Sequence, residues 1–359
     1  MPLTYNLQDY DFDFPSELIA QKTAGKGKTR ILYCPKNGGE LRILESNEIT
    51  DLFKAGDCIV VNNTQVIPAM LLGKTKHGGK AEILLLKQLE PAADNSARWA
   101  AWVKPGKAFE NGKEIFISKI KCKSEGFVEQ DDSKTRIINF SIPNAEFNSF
   151  LAENGHVPLP PYINRSDNAS DKDDYQTVFA KYAGAVAAPT ASLHFSEDMV
   201  AELKNKGVHF AEITLHVGPG TFENIKESED FRKHKMHSEE YQITEEAANT
   251  INEAKKNGGR IICVGTTTVR ALETVVGGKS VVSRGRHVGL PLLTTDIFIY
   301  PGFEFKMTDA LLTNFHWPKS SLILLVSAFY GRENTLNAYR YAVQNQMKLF
   351  SYGDGMLII

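Results

Sequence analysis

Residues 58–147 run through one short β-type segment after another, and this texture bounds the fold more tightly than any other feature. The segments are 58–61, 69–72, 81–87, 99–103, 114–120, 126–130 and 136–140, with turn formers such as His77-Gly78-Gly79 and Asn111-Gly112 between them. Short strands at this spacing predict a small antiparallel barrel or sandwich. The flanks differ. Residues 196–207, 244–257, 266–276 and 333–348 carry helical spacing, and strands at 210–217, 260–264 and 296–300 alternate with them. Such alternation predicts α/β layers. The expected architecture is a mixed α/β core, discontinuous over residues 1–57 and 155–359, with an antiparallel β-barrel module inserted at 58–154.

A length of 359 residues suits two domains, and 42% hydrophobic content is enough to bury a core without disulfides or a structural metal. Cys34, Cys58, Cys122 and Cys263 are scattered with no CxxC pair, so they read as reduced thiols. Lys plus Arg is 41 and Asp plus Glu is 43, a net charge of −2. That excludes a grossly basic nucleic-acid coat but leaves room for a local basic face. The apolar stretch 322–330 is about half of what a bilayer helix requires. The N-terminal Met1-Pro2-Leu3-Thr4-Tyr5 has neither the basic nor the apolar region of a signal peptide. A cytoplasmic chain without a membrane partner is expected, and a monomer, since no strong self-pairing element stands out.

Three segments have the composition of a site. In the first, the apolar run Ile261-Ile262-Cys263-Val264 ends at Gly265, and Thr266, Thr267 and Thr268 open a helix with Arg270 one turn on. A helix N-terminus reached this way presents N–H groups and hydroxyls to an anion, although Thr266 serves equally as an ordinary cap. The GxGxxG spacing of dinucleotide folds is absent. In the second, small residues from Gly184 lead through Pro189, Thr190 and Ser192 to His194, just before a helix capped by Ser196. His194 suits proton transfer or simple packing. No GxSxG elbow accompanies Ser192, which leaves a hydrolase a distant third reading. In the third, Asn314, His316, Lys319 and Ser320 form a polar approach to an apolar helix, with Pro318 in its first turn. Two weaker signals are the Gly218-Pro219-Gly220 turn after His216, either a ligand-facing loop or a tight turn, and the HxxH pair His234 and His237. With no third ligand in sequence, no metal is expected there.

These segments carry a family resemblance over nearly the whole chain. The landmarks are Val157-Pro158-Leu159-Pro160-Pro161-Tyr162-Ile163, Tyr175-Gln176-Thr177-Val178-Phe179-Ala180, residues 184–195, 216–222, 234–241, 265–273, 295–302 and 311–320, and the tail Phe350-Ser351-Tyr352-Gly353-Asp354. In this ordered set the chain resembles the S-adenosylmethionine:tRNA ribosyltransferase-isomerases of queuosine biosynthesis. The resemblance implies an α/β core with an inserted β-barrel. It also implies transfer and isomerisation of the ribosyl unit of S-adenosylmethionine onto 7-aminomethyl-7-deazaguanine at the tRNA wobble position, giving epoxyqueuosine, adenine and methionine. S-adenosylmethionine is then a co-substrate, with no cofactor bound permanently and no obligate protein partner.

That chemistry needs a base for the carbon beside the sulfonium and help for the departing adenine. His194, His316 and Asp354 are the acid–base candidates. Thr190, Gly265, Thr266, Thr267, Arg270, Asn314, Lys319 and Ser320 are the candidates for S-adenosylmethionine binding, with Thr266, Thr267 and Arg270 facing a carboxylate or phosphate. Lys74, Lys76, Lys80, Arg165, Tyr175 and Gln176 are the candidates for tRNA contact. Residues 58–150 hold 13 Lys/Arg against 10 Asp/Glu, and the three lysines cluster at one predicted turn, which reads either as an RNA contact or as a solvated hairpin. The chain departs from the family at Asn63, Gln65 and Met70, where Asp, Arg and Arg are common, and at Ser192 and Trp317, where Gly and Leu are usual. An S-adenosylmethionine-dependent tRNA methyltransferase and a non-catalytic RNA-binding protein are the alternative functions.

Overall fold

The structure, a computed structural model, describes residues 4–110, 112–128, 134–218, 225, 230–277, 281–283 and 292–359. Asn111, Glu129, Gln130 and residues 219–222, named above, lie outside them. A ten-stranded mixed sheet forms the centre. Four of its strands run parallel in the order His209–Leu215, Cys58–Asn62, Ile261–Val264 and Ala310–Asn314. Gly355–Ile358 then pairs antiparallel to the last, and Arg30–Cys34 and Arg42–Glu45 complete that edge. Glu239–Ile243, Leu292–Thr295 and Val281–Ser283 extend the other edge as antiparallel neighbours.

Cys58–Asn62, Ile261–Val264 and Ala310–Asn314 are buried along their whole length, as expected of parallel strands covered on both faces. Alternate side chains separate the two cores. Cys58, Val60, Ile261, Cys263 and Leu311 pack under the helices Glu245–Lys256, Thr266–Val276, Ser321–Tyr330 and Arg332–Gln344. Ile59, Val61, Ile262, Val264 and Leu312 pack on the opposite face against Met199 and Leu203 of the helix Glu197–Asn205. The helices start where side-chain oxygens meet free N–H groups: Ser196 accepts from Met199, Thr244 from Ala247 and Ser320 from Ile323.

Met70–Thr75, Lys80–Gln88, Ser96–Lys104, Arg136–Pro143, Ile120–Phe127 and Glu114–Ile117 follow in that order in a seven-stranded second sheet, with Gly155–His156 added antiparallel at the Met70 end. Pairing of Lys74 with Phe116 and Thr75 with Ile115 closes it into a six-stranded antiparallel barrel, so no strand edge is left bare. Leu71, Ile83, Leu85, Trp99, Ile115, Ile138 and Phe140 fill it, and Phe147 and Phe150 of the helix Phe147–Asn154 close one end.

Three details depart from the sequence expectations. The barrel strands start at Met70, because Cys58–Asn62 belongs to the large sheet. Its unbroken apolar run is the mark of a strand buried on both faces, which resembles barrel strands in composition but not in partners. The stretch 114–120 is a hairpin, broken by Ser118 in the left-handed region (φ 52°). Residues 296–300 follow the strand Leu292–Thr295 as irregular chain, and Phe298 and Tyr300 anchor it in an aromatic cluster around Phe231. The crossing between sheet and barrel is itself paired: Thr64–Val66 lies parallel to Tyr182–Ala185. Among the described residues no helix is long and apolar enough to cross a membrane.

Candidate active site

A cavity of about 340 Å³ opens where the parallel strands end. Crevices at the carboxyl edge of open α/β sheets are the usual ligand sites, because loops from several strands converge there. Val217 comes from beyond His209–Leu215, Gly265 to Thr267 follow Ile261–Val264, and Asn314 to Trp317 follow the last parallel strand. The 187–191 loop, Pro161, Tyr162, Tyr175, Phe350 and Ser351 supply the other walls.

Gly265 turns the chain from strand to helix at φ +90°, a conformation that side chains disfavour. It offers no side-chain cap to the helix Thr266–Val276, so the first-turn N–H groups and the positive end of the helix dipole meet the cavity. Thr268 turns inward and donates to the Val264 and Gly265 carbonyls. Thr266 and Thr267 line the cavity, and the buried Thr267 Oγ1 has no hydrogen-bond partner. Leaving such a hydroxyl unsatisfied costs about 1–3 kcal/mol, which a ligand atom would recover. Tyr175 Oη is also buried at the cavity, near the Ala188 backbone and the Ser351 hydroxyl but in no hydrogen bond of regular geometry.

Asn314 ties the walls together. Its Oδ1 accepts from Thr190 Oγ1 at 3.0 Å, and its Nδ2 donates to the Phe350 carbonyl at 3.1 Å. Phe350 lies at φ +69°, a left-handed position that only surrounding contacts hold in a non-glycine residue. Ser320 caps the helix Ser321–Tyr330 and donates to the Trp317 carbonyl at 2.7 Å. Three rings then form one wall. Tyr162 stacks on Trp317 with centroids 5.9 Å apart and planes 12° from parallel, and Phe350 lies 5.1 Å from Tyr162 and 4.8 Å from Trp317. Tyr162 Oη and Ser351 Oγ share a 2.5 Å hydrogen bond. None of the described lining residues is Asp, Glu, Lys or Arg.

The candidates from sequence divide. Thr190, Gly265, Thr266, Thr267, Tyr175, Asn314, His316 and Ser320 come together around the cavity. The Nε2 of His316 lies 2.9 Å from Thr313 Oγ1, and burial pushes its pKa down to about 3. His194 is fully buried and outside the lining, with Nδ1 2.7 Å from Thr29 Oγ1. A Cβ at Gly355 would lie 2.6 Å from its Nε2, so the strand Gly355–Ile358 packs directly on the ring. Burial pushes the His194 pKa down to about 4.

Five other candidates are engaged away from the lining. Arg270 makes a buried ion pair with Glu239 and donates to the Ile297 carbonyl at 3.3 Å. Asp354 accepts from the Arg30 and Lys348 N–H groups and pairs with the Arg30 guanidinium at 3.0 Å. Lys319 pairs with Asp11 at 3.1 Å. Arg165 grips Asp171 through two bonds of 2.6 and 2.7 Å. Gln176 bonds both the N–H and the carbonyl of Val66 at the sheet–barrel crossing.

Lys74, Lys76 and Lys80 are exposed at one hairpin of the barrel, and Lys74 faces Lys80 directly in the strand register. Among the described residues no group of three or more His, Cys, Asp or Glu is placed to hold a metal ion. Sequence reasoning gave no site role to Tyr162, Trp317, Phe350 and Ser351. The one signal was that Tyr162, Phe350 and Ser351 stand in the landmark segments and Trp317 beside His316.

Comparison with known proteins gives a consistent picture. The sequence profile of a family described as "Queuosine biosynthesis protein" matches residues 7–358. An S-adenosylmethionine:tRNA ribosyltransferase-isomerase of Caldanaerobacter subterraneus subsp. tengcongensis is 44% identical over 353 residues, 98% of this chain and 99% of that one. The protein of the same name from Clostridioides difficile is 44% identical over 355 residues, again 98% and 99%. The crystal structure of an S-adenosylmethionine tRNA ribosyltransferase from Thermotoga maritima matches with TM-score 0.52 and 31% identity, covering 98% of this chain and 100% of that one.

Proposed function

The chain belongs to the queuosine biosynthesis protein family, and on that premise we propose that the cavity at the carboxyl edge of its parallel strands holds S-adenosylmethionine while the ribosyl unit passes to tRNA. The protein is an S-adenosylmethionine:tRNA ribosyltransferase-isomerase. In the proposed reaction the aminomethyl group of 7-aminomethyl-7-deazaguanine at the wobble position receives the ribosyl unit. Adenine and methionine leave, and the transferred sugar closes to the epoxide.

The observation that carries the placement is the Thr267 hydroxyl, buried and without a hydrogen-bond partner, on a residue that lines a cavity at a bare helix N-terminus. We assign Thr266, Thr267 and the first-turn N–H groups to the methionine carboxylate. Thr190, Asn314 and Ser320 shape the neighbouring wall, where the sugar would lie. The sulfonium acidifies the adjacent C–H. His316 is the imidazole at the cavity, but burial pushes its pKa down to about 3, far below the range in which a general base works, so we assign it to hydrogen bonding rather than to proton abstraction. Arg270, Asp354, Lys319 and His194 act in this reading through the framework.

tRNA docking falls to the barrel hairpin. Two lysines opposed across a ladder repel one another, and a phosphate between them would relieve that. Arg165, Tyr175 and Gln176 shape the crossing and the cavity wall. We read the enzyme as cytoplasmic and working without a resident cofactor or a protein partner.

The placement is tested with Thr267→Val, which keeps shape and removes the hydroxyl. The dissociation constant for S-adenosylmethionine should rise about 3- to 10-fold, the worth of one hydrogen bond, while the thermal stability of the free protein holds or rises because the unsatisfied hydroxyl is gone. An unchanged constant would move the donor elsewhere.

A further inference from the structure

We infer that the aromatic wall of Tyr162, Trp317 and Phe350 holds the sulfonium of S-adenosylmethionine by cation–π attraction, and so selects the charged donor over neutral thioethers. The inference rests on the reading that the cavity is the donor site, and adds how that site recognises charge.

A sulfonium is a permanent cation. It cannot shed its charge on burial as an amine can, so its environment must compensate for lost water. The described lining has no carboxylate for this; its polar side chains are hydroxyls, one amide and one imidazole, and the rest are aromatic rings and small or aliphatic groups. The entrance to the helix Thr266–Val276 is the positive end of a dipole, which attracts the carboxylate and repels the sulfonium. His316 is neutral and offers no counter-charge. What remains is the negative face of the aromatic rings, with Trp the strongest such partner.

The rings are also fixed in advance. Phe14 packs edge-on against Trp317 and Phe350 at centroid distances of 5.6 and 5.3 Å. Tyr162 is held through its bond to Ser351, and Phe350 through its carbonyl to Asn314. A quadrupole held in place needs no rearrangement to meet a charge, the general advantage of pre-organised electrostatics. The same wall would suit stacking of the adenine. Charge separates the two possibilities, since adenine is common to the sulfonium and the thioether.

The test is calorimetric titration of S-adenosylmethionine and of S-adenosylhomocysteine into wild type, Trp317→Leu, Trp317→Phe and Thr267→Val. Trp317→Leu should weaken S-adenosylmethionine about 5- to 30-fold, the range of a desolvated cation–π contact, and S-adenosylhomocysteine less than about 2-fold. Trp317→Phe, which keeps a ring and secures the test should Leu fail to fold, should fall between. Equal losses for both ligands would assign the wall to adenine and overturn the inference while leaving the donor in the cavity. If Thr267→Val weakens both ligands while the Trp317 variants weaken neither, the aromatic assignment alone fails. If none of the variants changes either affinity, the placement of the donor fails with it.

Discussion

Thr190 Oγ1 donates to Asn314 Oδ1 at 3.0 Å, joining the 187–191 loop to the end of the central strand Ala310–Asn314. Asn314 uses its other amide group on Phe350, so one side chain fixes three walls of the cavity. The wall positions depend on each other because this side chain ties together residues 124 and 36 positions away in sequence.

Asn314→Ala should therefore act on structure and site together. It deletes two hydrogen bonds, the one from Thr190 and the one to the Phe350 carbonyl, although that carbonyl keeps the Gly353 N–H at 2.9 Å, at a cost of about 1–3 kcal/mol in urea unfolding. It should also weaken S-adenosylmethionine binding more than Thr267→Val does, because it loosens Phe350 as well as Thr190. A variant with wild-type stability and affinity would show that Asn314 does not organise the cavity.

Arg270→Met should be a stability variant first. Removing the guanidinium leaves the Glu239 carboxylate buried and unpaired, and breaking such a pair costs about 3–5 kcal/mol. The double variant Arg270→Met with Glu239→Gln should recover most of that loss in the urea midpoint. Wild-type stability with a raised S-adenosylmethionine constant would instead return Arg270 to the ligand.

Acid stability follows from two imidazoles, His194, which is fully buried, and His316, which is half-buried at the cavity. Their pKa values lie near 4 for His194 and near 3 for His316 in the fold, against 6.5 for free histidine. Above pH 6.5 both states hold them neutral. Below it the unfolded chain binds protons that the fold refuses, so stability falls as pH drops from about 6.5 toward 4, by up to about 1.4 kcal/mol per pH unit and imidazole. The lowered carboxyls of Asp57 and Asp171 act only below their ordinary 3.8. Urea titrations at pH 7, 6, 5 and 4 should show this slope, and His194→Gln should flatten it. An equal slope in that variant would remove His194 from the account.

Replacing Lys74, Lys76 and Lys80 by Gln should weaken tRNA binding and reduce the slope of log affinity against log salt by up to about 3, roughly 0.9 per lost phosphate contact. The barrel itself should gain slightly in stability as the Lys74–Lys80 repulsion is lost. Unchanged tRNA binding would take this hairpin out of the RNA interface.

Much of the fold was legible because its signals are local. The run ending at Gly265, with threonines after it, marks the strand, the turn and the helix start. The barrel strands announce themselves by length and turn residues. Cys58–Asn62 did not, because an apolar pentapeptide says nothing about which sheet receives it. Half of the site was legible for the same reason: Thr190, Thr266, Thr267, Asn314 and His316 sit at strand ends or beside helix starts. The aromatic wall was not, since Tyr162, Trp317 and Phe350 become neighbours only in the folded chain. Arg270 misled because its side chain reaches past its own helix turn to Glu239, 31 residues earlier. Of the family departures, Asn63 has a physical reading. Its amide donates to Glu212 at 3.1 Å and its carbonyl accepts from Thr214 at 2.7 Å, whereas an aspartate there would set a second carboxylate against Glu212. Gln65 and Met70 are explained by nothing in the structure.

The central claim is that this chain cleaves S-adenosylmethionine and passes its ribosyl carbons to tRNA. The most direct measurement is one reaction with tRNA carrying 7-aminomethyl-7-deazaguanine and S-adenosylmethionine labelled in the ribose. Free adenine is quantified, and the digested tRNA is read by nucleoside mass spectrometry. The account predicts adenine and labelled epoxyqueuosine in equal amounts. S-adenosylhomocysteine with a methylated nucleoside, or bound tRNA with the donor intact, would contradict it.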